Sequence, residues 1–355
     1  MYILSFLLKT LIMTITSTIS MKIPTIKHLV ISGGGAAGFS YYGVLKQTQI
    51  RGLWAPDDIK TIYATSAGTL LAVIISLGYD WKTLDDYLIK RPWEKVYKFE
   101  LSMAIKAIMN QGIFDIKVVQ ETFKPLFKGK DISIDINLLD FYKYNNKEIH
   151  FFTTDYHTFQ TVDISYKTHP EWTVIDAVYA SSCLPVMFIP FYKINDKKKR
   201  NERNDTEEKD NKENTEEEEE EEEEDNKENT EKEEEEDNTE NIYIDGGIKM
   251  NYPLNKCLDD GNIPEEIFGI NRVDVNQHTD KKLFRTDNLF DFICKIIYKY
   301  ALQLECQLYP TVISHQISVP FSAVDFTALF KCVSSEEERR KLVEKGMDIA
   351  DDYCR

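Results

Sequence analysis

Ser66 lies in a short run of small residues that is typical of a nucleophile elbow. The run Ala64-Thr65-Ser66-Ala67-Gly68 follows a predicted apolar strand and precedes a predicted apolar helix. In such an elbow the serine stands on a sharp turn, and the residues two before and two after it must be small so that strand and helix can pass closely. The spacing predicts Ser66 as a nucleophile flanked by Ala64 and Gly68. An ordinary helix N-cap is the alternative interpretation of Ser66.

A serine hydroxyl needs a base to take its proton, and Asp245 is a candidate for that base. Asp245 ends the apolar run Ile242-Tyr243-Ile244, which predicts a strand, and Gly246 and Gly247 then permit a tight turn. At the end of a strand in a parallel sheet, the carboxylate would lie at the same edge as Ser66. A plain Asp-Gly turn without a chemical role is the alternative.

A glycine-rich loop precedes the elbow and permits two interpretations. Gly33-Gly34-Gly35-Ala36-Ala37-Gly38 lies between a predicted strand and a predicted helix, and it fits the G-x-G-x-x-G pattern of a dinucleotide site. Such a site also needs an acidic residue at the end of the second strand, but that strand ends in Ala64-Thr65-Ser66. The second interpretation is an oxyanion hole, in which backbone N–H groups point at a developing negative charge. The neighbouring elbow favours this second interpretation.

A Ser-His-Asp triad is another arrangement that could activate Ser66. Of the six histidines, only His278 and His315 follow Asp245 in the order usual for α/β-hydrolases, and neither lies in a glycine-rich loop. We therefore interpret each as a surface or structural histidine. No cofactor or metal site is predicted, because the six cysteines form no C-x-x-C pair and no histidine stands at zinc-ligand spacing. Their scatter suggests free thiols in a reducing compartment.

Short β-branched runs alternate with longer helical patterns from residue 27 onward, which predicts an α/β domain with a mainly parallel sheet. The predicted strands are 28–32, 61–65, 148–153, 161–163, 242–244, 267–271 and 312–318. The predicted helices run from the glycine-rich loop to about 51, and over 67–77, 81–88, 101–109, 117–123, 174–181, 289–304 and 335–351. Gly52 and Gly78 are predicted to end the first two helices.

One segment accounts for the formal net charge of −17. Residues Asp205 to Glu240 hold 23 Asp or Glu and 4 Lys, and the remaining chain is close to neutral. A run of this kind repels itself and has nothing to bury, so we predict a disordered acidic insertion at 196–241. Our hypothesis is that it repels anionic lipid surfaces or gates access. An acidic lure for a basic partner or for divalent cations stays open, no protein partner is identified, and no nucleic acid is expected.

Residues 1–26 form an apolar N-terminal extension. Lys9 lies near the middle of the first twenty residues, where a lysine costs about 2.5–3.5 kcal/mol in a membrane span. Neither a basic start nor a small-x-small cleavage site marks a secretory signal. Two interpretations stay open: a membrane anchor, or an extension upstream of a second candidate start at Met21.

Taken together, these motifs resemble the patatin-like phospholipase family. The resemblance rests on the G-G-G-x-x-G loop, the small-x-Ser-x-Gly elbow and the distant Asp-Gly-Gly. Ala177–Phe188 (AVYASSCLPVMF) also resembles the family's A-x-x-A-S-x-A-x-P-x-x-F block, and Asn251 and Pro253 resemble its N-x-P. Val324-Asp325-Phe326 and residues 334–346 resemble its closing D-F strand and terminal helix. Apart from the insertion, the domain at 27–352 is covered almost throughout.

The resemblance implies a three-layer α/β/α fold and a lipid acyl hydrolase that uses a Ser-Asp dyad without a catalytic histidine. By motif, Ser66 is the nucleophile, and Asp245 is the base that takes its proton and later activates water. The remaining motif residues are glycines: Gly33, Gly34 and Gly35 as oxyanion donors, with Gly38, Gly68, Gly246 and Gly247 shaping the loops.

Two residues depart from the family pattern. Ala64 replaces the commoner glycine of the elbow, and Ala37 stands where many members carry Lys or Arg. We therefore predict acyl-ester hydrolysis and leave the head group open. The alternatives are acyl transfer on the same dyad and a catalytically silent member that binds lipid or a partner. The expected substrate is a lipid at a membrane or lipid-droplet surface, and the expected location is cytoplasmic and peripheral at membranes.

Overall fold

The computed structural model describes residues 25–98, 109–194, 240–273, 313–321 and 326–355, together with positions 292, 296 and 299. Residues 1–24 lie outside the described residues, as do the acidic insertion up to residue 239 and most of the helices predicted at 101–109 and 289–304. Within the described part of the chain, no helix combines the length and the apolar character needed to cross a membrane.

The described residues build a large main sheet and a small second sheet. The strands are β1 (His28–Ile31), β2 (Thr61–Thr65), β3 (Gly112–Phe114), β4 (Glu148–Asp155), β5 (Thr161–Ile164), β6 (Val186–Phe188), β7 (Phe191–Ile194), β8 (Glu240–Asp245), β9 (Ile267–Val273) and β10 (His315–Pro320). The main sheet has the order β10-β9-β1-β2-β4-β8-β7, and β5 also pairs with β4. The first five strands of this order are parallel, whereas β5, β8 and β7 pair antiparallel with their neighbours. The predicted mainly parallel sheet is confirmed, and β3 and β6 form the second sheet.

The helices alternate with these strands along the chain. They are α1 (Gly38–Ile50), α2 (Ala67–Ser76), α3 (Trp81–Leu88), α4 (Lys117–Lys128), α5 (Leu138–Asn145), α6 (Val174–Ser182), α7 (Leu254–Asp259), α8 (Phe326–Ser334) and α9 (Glu336–Tyr353). Gly52 and Gly78, which follow α1 and α2, have φ values of 77° and 64°. Glycine adopts this left-handed conformation without a Cβ penalty, so both helices end where the sequence predicts.

Successive residues of the central strands belong to two hydrophobic clusters, because side chains alternate between the two faces of a strand. Leu29 and Ile31 of β1 join a large cluster that includes α1 and α2. Val30 between them joins a smaller cluster with Leu254 and Cys257 of α7. Helices therefore cover both faces of the sheet, as the predicted α/β/α layering requires.

β8 reaches the edge near Ser66 in an orientation that the sequence does not predict. Within the mainly parallel sheet, β8 enters from the carboxyl end of β4 and runs antiparallel to it. Thr65 pairs with Phe152, and Thr153, the next residue of β4, pairs with Asp245. The end of β8 thus lies level with the turn after β2. Asp245 comes close to Ser66 because β8 ends opposite Thr153, one residue beyond the last pair of β2 with β4.

The bounds of several other strands and helices differ from the sequence predictions. The strand expected at 312–318 is found at 315–320, and the helix expected at 117–123 continues through Pro125. The strand predicted across residues 324–326 is wrong at Phe326, where α8 begins, and residues 322–325 lie outside the described part. β8 also includes residues 240 and 241, which were assigned to the insertion. The elements that were missed, such as β3, β6 and α7, are too short to show a clear hydrophobic period.

Candidate active site

Ser66 occupies the turn between β2 and α2. Its φ of 51° and ψ of −124° lie outside the regions that L residues ordinarily adopt, so the turn is strained. A Cβ on Gly68 would lie 2.5 Å from the carbonyl oxygen of Ile31, and α2 can approach the sheet this closely only with glycine there. Ala64 is fully buried. At Gly38 an added Cβ would make only an ordinary 3.5 Å contact.

The side chains of Ser66 and Asp245 are in direct contact. The Ser66 Oγ donates to Asp245 Oδ2 at 2.7 Å, and the Gly247 N–H donates to Asp245 Oδ1 at 2.7 Å. Asp245 is only 4% exposed. Burial raises the pKa of Asp245 to about 6, although the hydrogen bonds from Ser66 and Gly247 favour its charged form. A carboxyl group with this pKa is a stronger base than an ordinary aspartate.

The two glycines after Asp245 let the chain turn tightly against β4. A Cβ on Gly246 would overlap the carbonyl oxygen of Phe152. One on Gly247 would lie 2.9 Å from Asp245 Oδ1 and 3.0 Å from the Asn251 side-chain oxygen. A side chain at either position would therefore push the turn away from β4 or disturb the carboxylate.

A second serine holds the backbone of Ser66. The Ser66 N–H donates to Ser181 Oγ at 3.0 Å, and the Ser181 hydroxyl donates to the carbonyl oxygen of Phe152 at 2.5 Å. Ser181 is fully buried near the end of α6. The sequence places Ser181 in the Ala177–Phe188 block, but nothing in its spacing indicates a contact with a residue 115 positions away. Only the packing of α6 against β4 reveals it.

The glycine-rich loop lies beside Ser66, but its three glycines differ in their hydrogen bonding. A Cβ on Gly33 would lie 3.1 Å from the Ser66 Cβ. The Gly33 N–H donates to the Asn251 carbonyl oxygen at 2.9 Å, so it is already engaged, in contrast to the expectation of three glycine donors. Among the described residues, the N–H groups of Gly34 and Gly35 have no acceptor. Gly35 is exposed and has a φ of 53°, which favours glycine.

The histidines that the structure describes make their contacts away from Ser66 and Asp245. His315 Nδ1 lies 3.3 Å from the Tyr353 hydroxyl oxygen, and His150 contacts Asp163. His278 lies outside the described residues. Within the described part of the chain, the hydrogen bonds to the Asp245 carboxylate come from a hydroxyl and a backbone N–H rather than from an imidazole.

An apolar cavity of about 180 Å³ opens beside Ser66. Ser66 and Gly35 both contribute to its lining. The walls also include Leu71 and Ile74 of α2, Leu88 and Trp93 from the end of α3 and the segment after it, and Cys332 and Val333 of α8. A space lined in this way suits a hydrocarbon chain, since apolar side chains offer no partner to a charged or polar ligand.

The fold and the site are those of an α/β protein with a serine at a strand-to-helix turn beside a buried carboxylate. The family model described as patatin-like phospholipase matches residues 29–258, which is more than half of the chain. The chain belongs to the patatin-like phospholipase family, and the resemblance inferred from its motifs is confirmed. Membership of this family supports a lipid hydrolase activity in general terms.

The individual relatives match either a short part of the chain or the chain at low sequence identity. The chain is 41% identical over 54 residues to the uncharacterized protein R571 of Acanthamoeba polyphaga mimivirus, covering 15% of this chain and only 18% of that relative. VipD from Legionella pneumophila is similar at 15% identity with a TM-score of 0.46, over 93% of this chain and 67% of that chain. Human GIVD cytosolic phospholipase A2 is similar at 16% identity with a TM-score of 0.26, over 40% and 22% of the two chains.

Proposed function

We propose that this protein hydrolyses fatty-acyl esters of lipids through a covalent acyl-Ser66 intermediate. The observation that carries the proposal is the 2.7 Å hydrogen bond from Ser66 Oγ to Asp245 Oδ2 beside an apolar cavity. The hydroxyl is within proton-transfer distance of a base, and the acyl chain has an apolar space to enter.

In the first half of the reaction, Ser66 Oγ attacks the ester carbonyl carbon while Asp245 takes the proton of the Ser66 hydroxyl. The carbonyl oxygen becomes an oxyanion, and the C–O bond to the leaving alcohol then breaks. Asp245 returns the proton to the alkoxide, which leaves as a neutral alcohol. The pKa of about 6 suits this exchange, because the carboxyl group must both accept and release a proton near neutrality.

In the second half, a water molecule attacks the acyl-Ser66 carbonyl carbon while Asp245 removes one of its protons. The tetrahedral intermediate collapses, the Ser66 oxygen regains the proton, and a fatty acid is released. Both halves need donors for the oxyanion. The N–H groups of Gly34 and Gly35 are assigned to this role, since Gly33 is bound to Asn251. In related chemistry, removal of one such donor lowers kcat by a factor of roughly 10²–10³.

The lipid class is proposed only at the level of the acyl ester. Ala37 is fully buried in the turn before α1, so it offers neither charge nor contact to an anionic head group. The substrate is proposed to be presented at a membrane or lipid-droplet surface, where acyl esters are concentrated and the protein would bind peripherally.

Two substitutions test the dyad directly. Ser66→Ala and Asp245→Asn should each lower fatty-acid release from phospholipid vesicles and triacylglycerol emulsions by roughly 10³-fold or more, with an unchanged circular-dichroism spectrum. Ser76→Ala is the matched control, because Ser76 is a buried serine of α2 whose hydroxyl donates to Ala72 within the same helix. A fluorophosphonate should label the wild type and this control but not Ser66→Ala. Normal turnover by either site variant would refute the dyad.

A further inference from the structure

Arg339 of α9 is a buried cation whose hydrogen bonds, among the described residues, all go to backbone carbonyl oxygens. The side chain is 2% exposed. Its Nε donates to Ile89 at 2.7 Å, and its Nη2 donates to Arg91 at 2.9 Å. Its Nη1 donates to Cys332 at 2.6 Å and to Val333 at 3.3 Å. A guanidinium group can be buried without a carboxylate only when its donors are satisfied in this way.

Three of these carbonyl groups come from the ends of two helices, and the fourth, of Arg91, follows shortly after α3. Ile89 directly follows α3, while Cys332 and Val333 lie in the last turn of α8. The last four carbonyl groups of a helix lack partners within the helix, and the C-terminal end carries partial negative charge. Arg339 therefore caps α3 and α8 with a single cation and fixes one end against the other.

The same two helix ends form walls of the cavity beside Ser66. Leu88 and Trp93 flank the carbonyl groups on the α3 side, and Cys332 and Val333 belong to α8. The Arg339 guanidinium thus bridges these two walls from behind the cavity lining, without contributing to the lining itself. A rigid planar group with several donors thus spans the two walls.

We propose that Arg339 is a positioning residue that determines acyl-chain selectivity by fixing the width of this cavity. This inference rests on the proposed function, since it assigns the cavity to the acyl chain. Lysine cannot replace the guanidinium here, because an ammonium group is a compact charge and cannot reach carbonyl groups on two separate segments in the same fork geometry.

The test compares Arg339→Lys with Arg340→Lys, its neighbour on α9. Arg340 is the matched control because its guanidinium is exposed and pairs with Glu336 at 2.6 Å, away from both walls. The assay measures kcat/KM for p-nitrophenyl esters from acetate to palmitate. Arg339→Lys should bring the ratio of kcat/KM for long-chain esters to kcat/KM for acetate about tenfold closer to one, because a loosened pocket discriminates less between chain lengths. Turnover of the acetate ester should stay near wild type. An unchanged ratio, or an equal loss for every ester, would overturn the proposal.

A binding experiment separates this inference from the proposed function. In a Ser66→Ala background, fluorescence titration with cis-parinaric acid reports occupation of the cavity without chemistry. If the wild type cleaves no ester, the proposed function fails, and weaker binding in Arg339→Lys than in Arg340→Lys still supports the inference. Equal binding in the two variants would overturn it. Arg339→Gln is the second variant, and failure of both Arg339 variants to fold would assign the residue a purely structural role.

Discussion

Ser181→Ala would remove the hydroxyl that holds the backbone of Ser66. The change leaves the half-buried Ser66 N–H and the buried Phe152 carbonyl oxygen without the Ser181 hydroxyl that both now contact. An unsatisfied buried group costs about 1–3 kcal/mol, and the strained φ of Ser66 stores a similar amount that the surroundings must hold. The free energy of unfolding is therefore expected to fall by roughly 2 kcal/mol.

The same change should reduce catalysis, because part of the population would release the strained turn. Each 1.4 kcal/mol that favours the relaxed turn lowers the populated active form about tenfold. We expect kcat for p-nitrophenyl butyrate to fall by about tenfold or more, with KM near wild type because the cavity walls are unchanged.

Ser76→Ala again supplies the control for loss of a buried serine hydroxyl, since its partner lies within its own helix. It should lower stability slightly and leave kcat near wild type. The reasoning would be refuted if Ser181→Ala kept kcat within about twofold of wild type, or if its loss appeared entirely in KM.

Three further outcomes follow from the described contacts. Protonation of Asp245 removes the base, so kcat/KM should fall as pH drops through about 6. Burial alone would lower the pKa of His150, but its carboxylate partners raise it to about 9, above the unfolded value of 6.5. Its stabilising contribution is therefore complete below about pH 6.5 and lost as pH rises through about 9. In urea unfolding, the difference in free energy of unfolding between wild type and His150→Gln should narrow over that range. Gly43→Ala places a Cβ on the Val343 carbonyl oxygen, and separating α1 from α9 should cost about 1–3 kcal/mol in the same assay.

The turns that carry the motifs could be predicted because each motif is a short stretch whose residue types are dictated by its own turn. The elbow around Ser66 is an example. Glycine is needed at position 68 because a Cβ there would lie only 2.5 Å from the Ile31 carbonyl oxygen, which α2 passes closely. Gly52 and Gly78 mark helix ends for the same kind of reason, since their positive φ values favour glycine.

The orientation of β8 could not be predicted in this way. A run such as Ile242-Tyr243-Ile244 has the same pattern whether its strand pairs parallel or antiparallel, because direction depends on the connection and on the neighbouring strand. The residues between β7 and β8 are almost entirely polar or charged and show no hydrophobic pattern from which a crossover could be inferred.

The sequence by itself determined that the chain carries a serine elbow, a glycine-rich loop and an aspartate before a glycine pair, because these depend on residues adjacent in the chain. The tertiary structure alone decided the partners of the loop donors: among the described residues, the Gly33 N–H is bound to Asn251 while those of Gly34 and Gly35 have no acceptor. It also decided that Ser181 holds the elbow and that Arg339 joins two cavity walls. Hydrogen bonds between residues more than a hundred positions apart follow from the packing of whole elements, and a local pattern does not encode them.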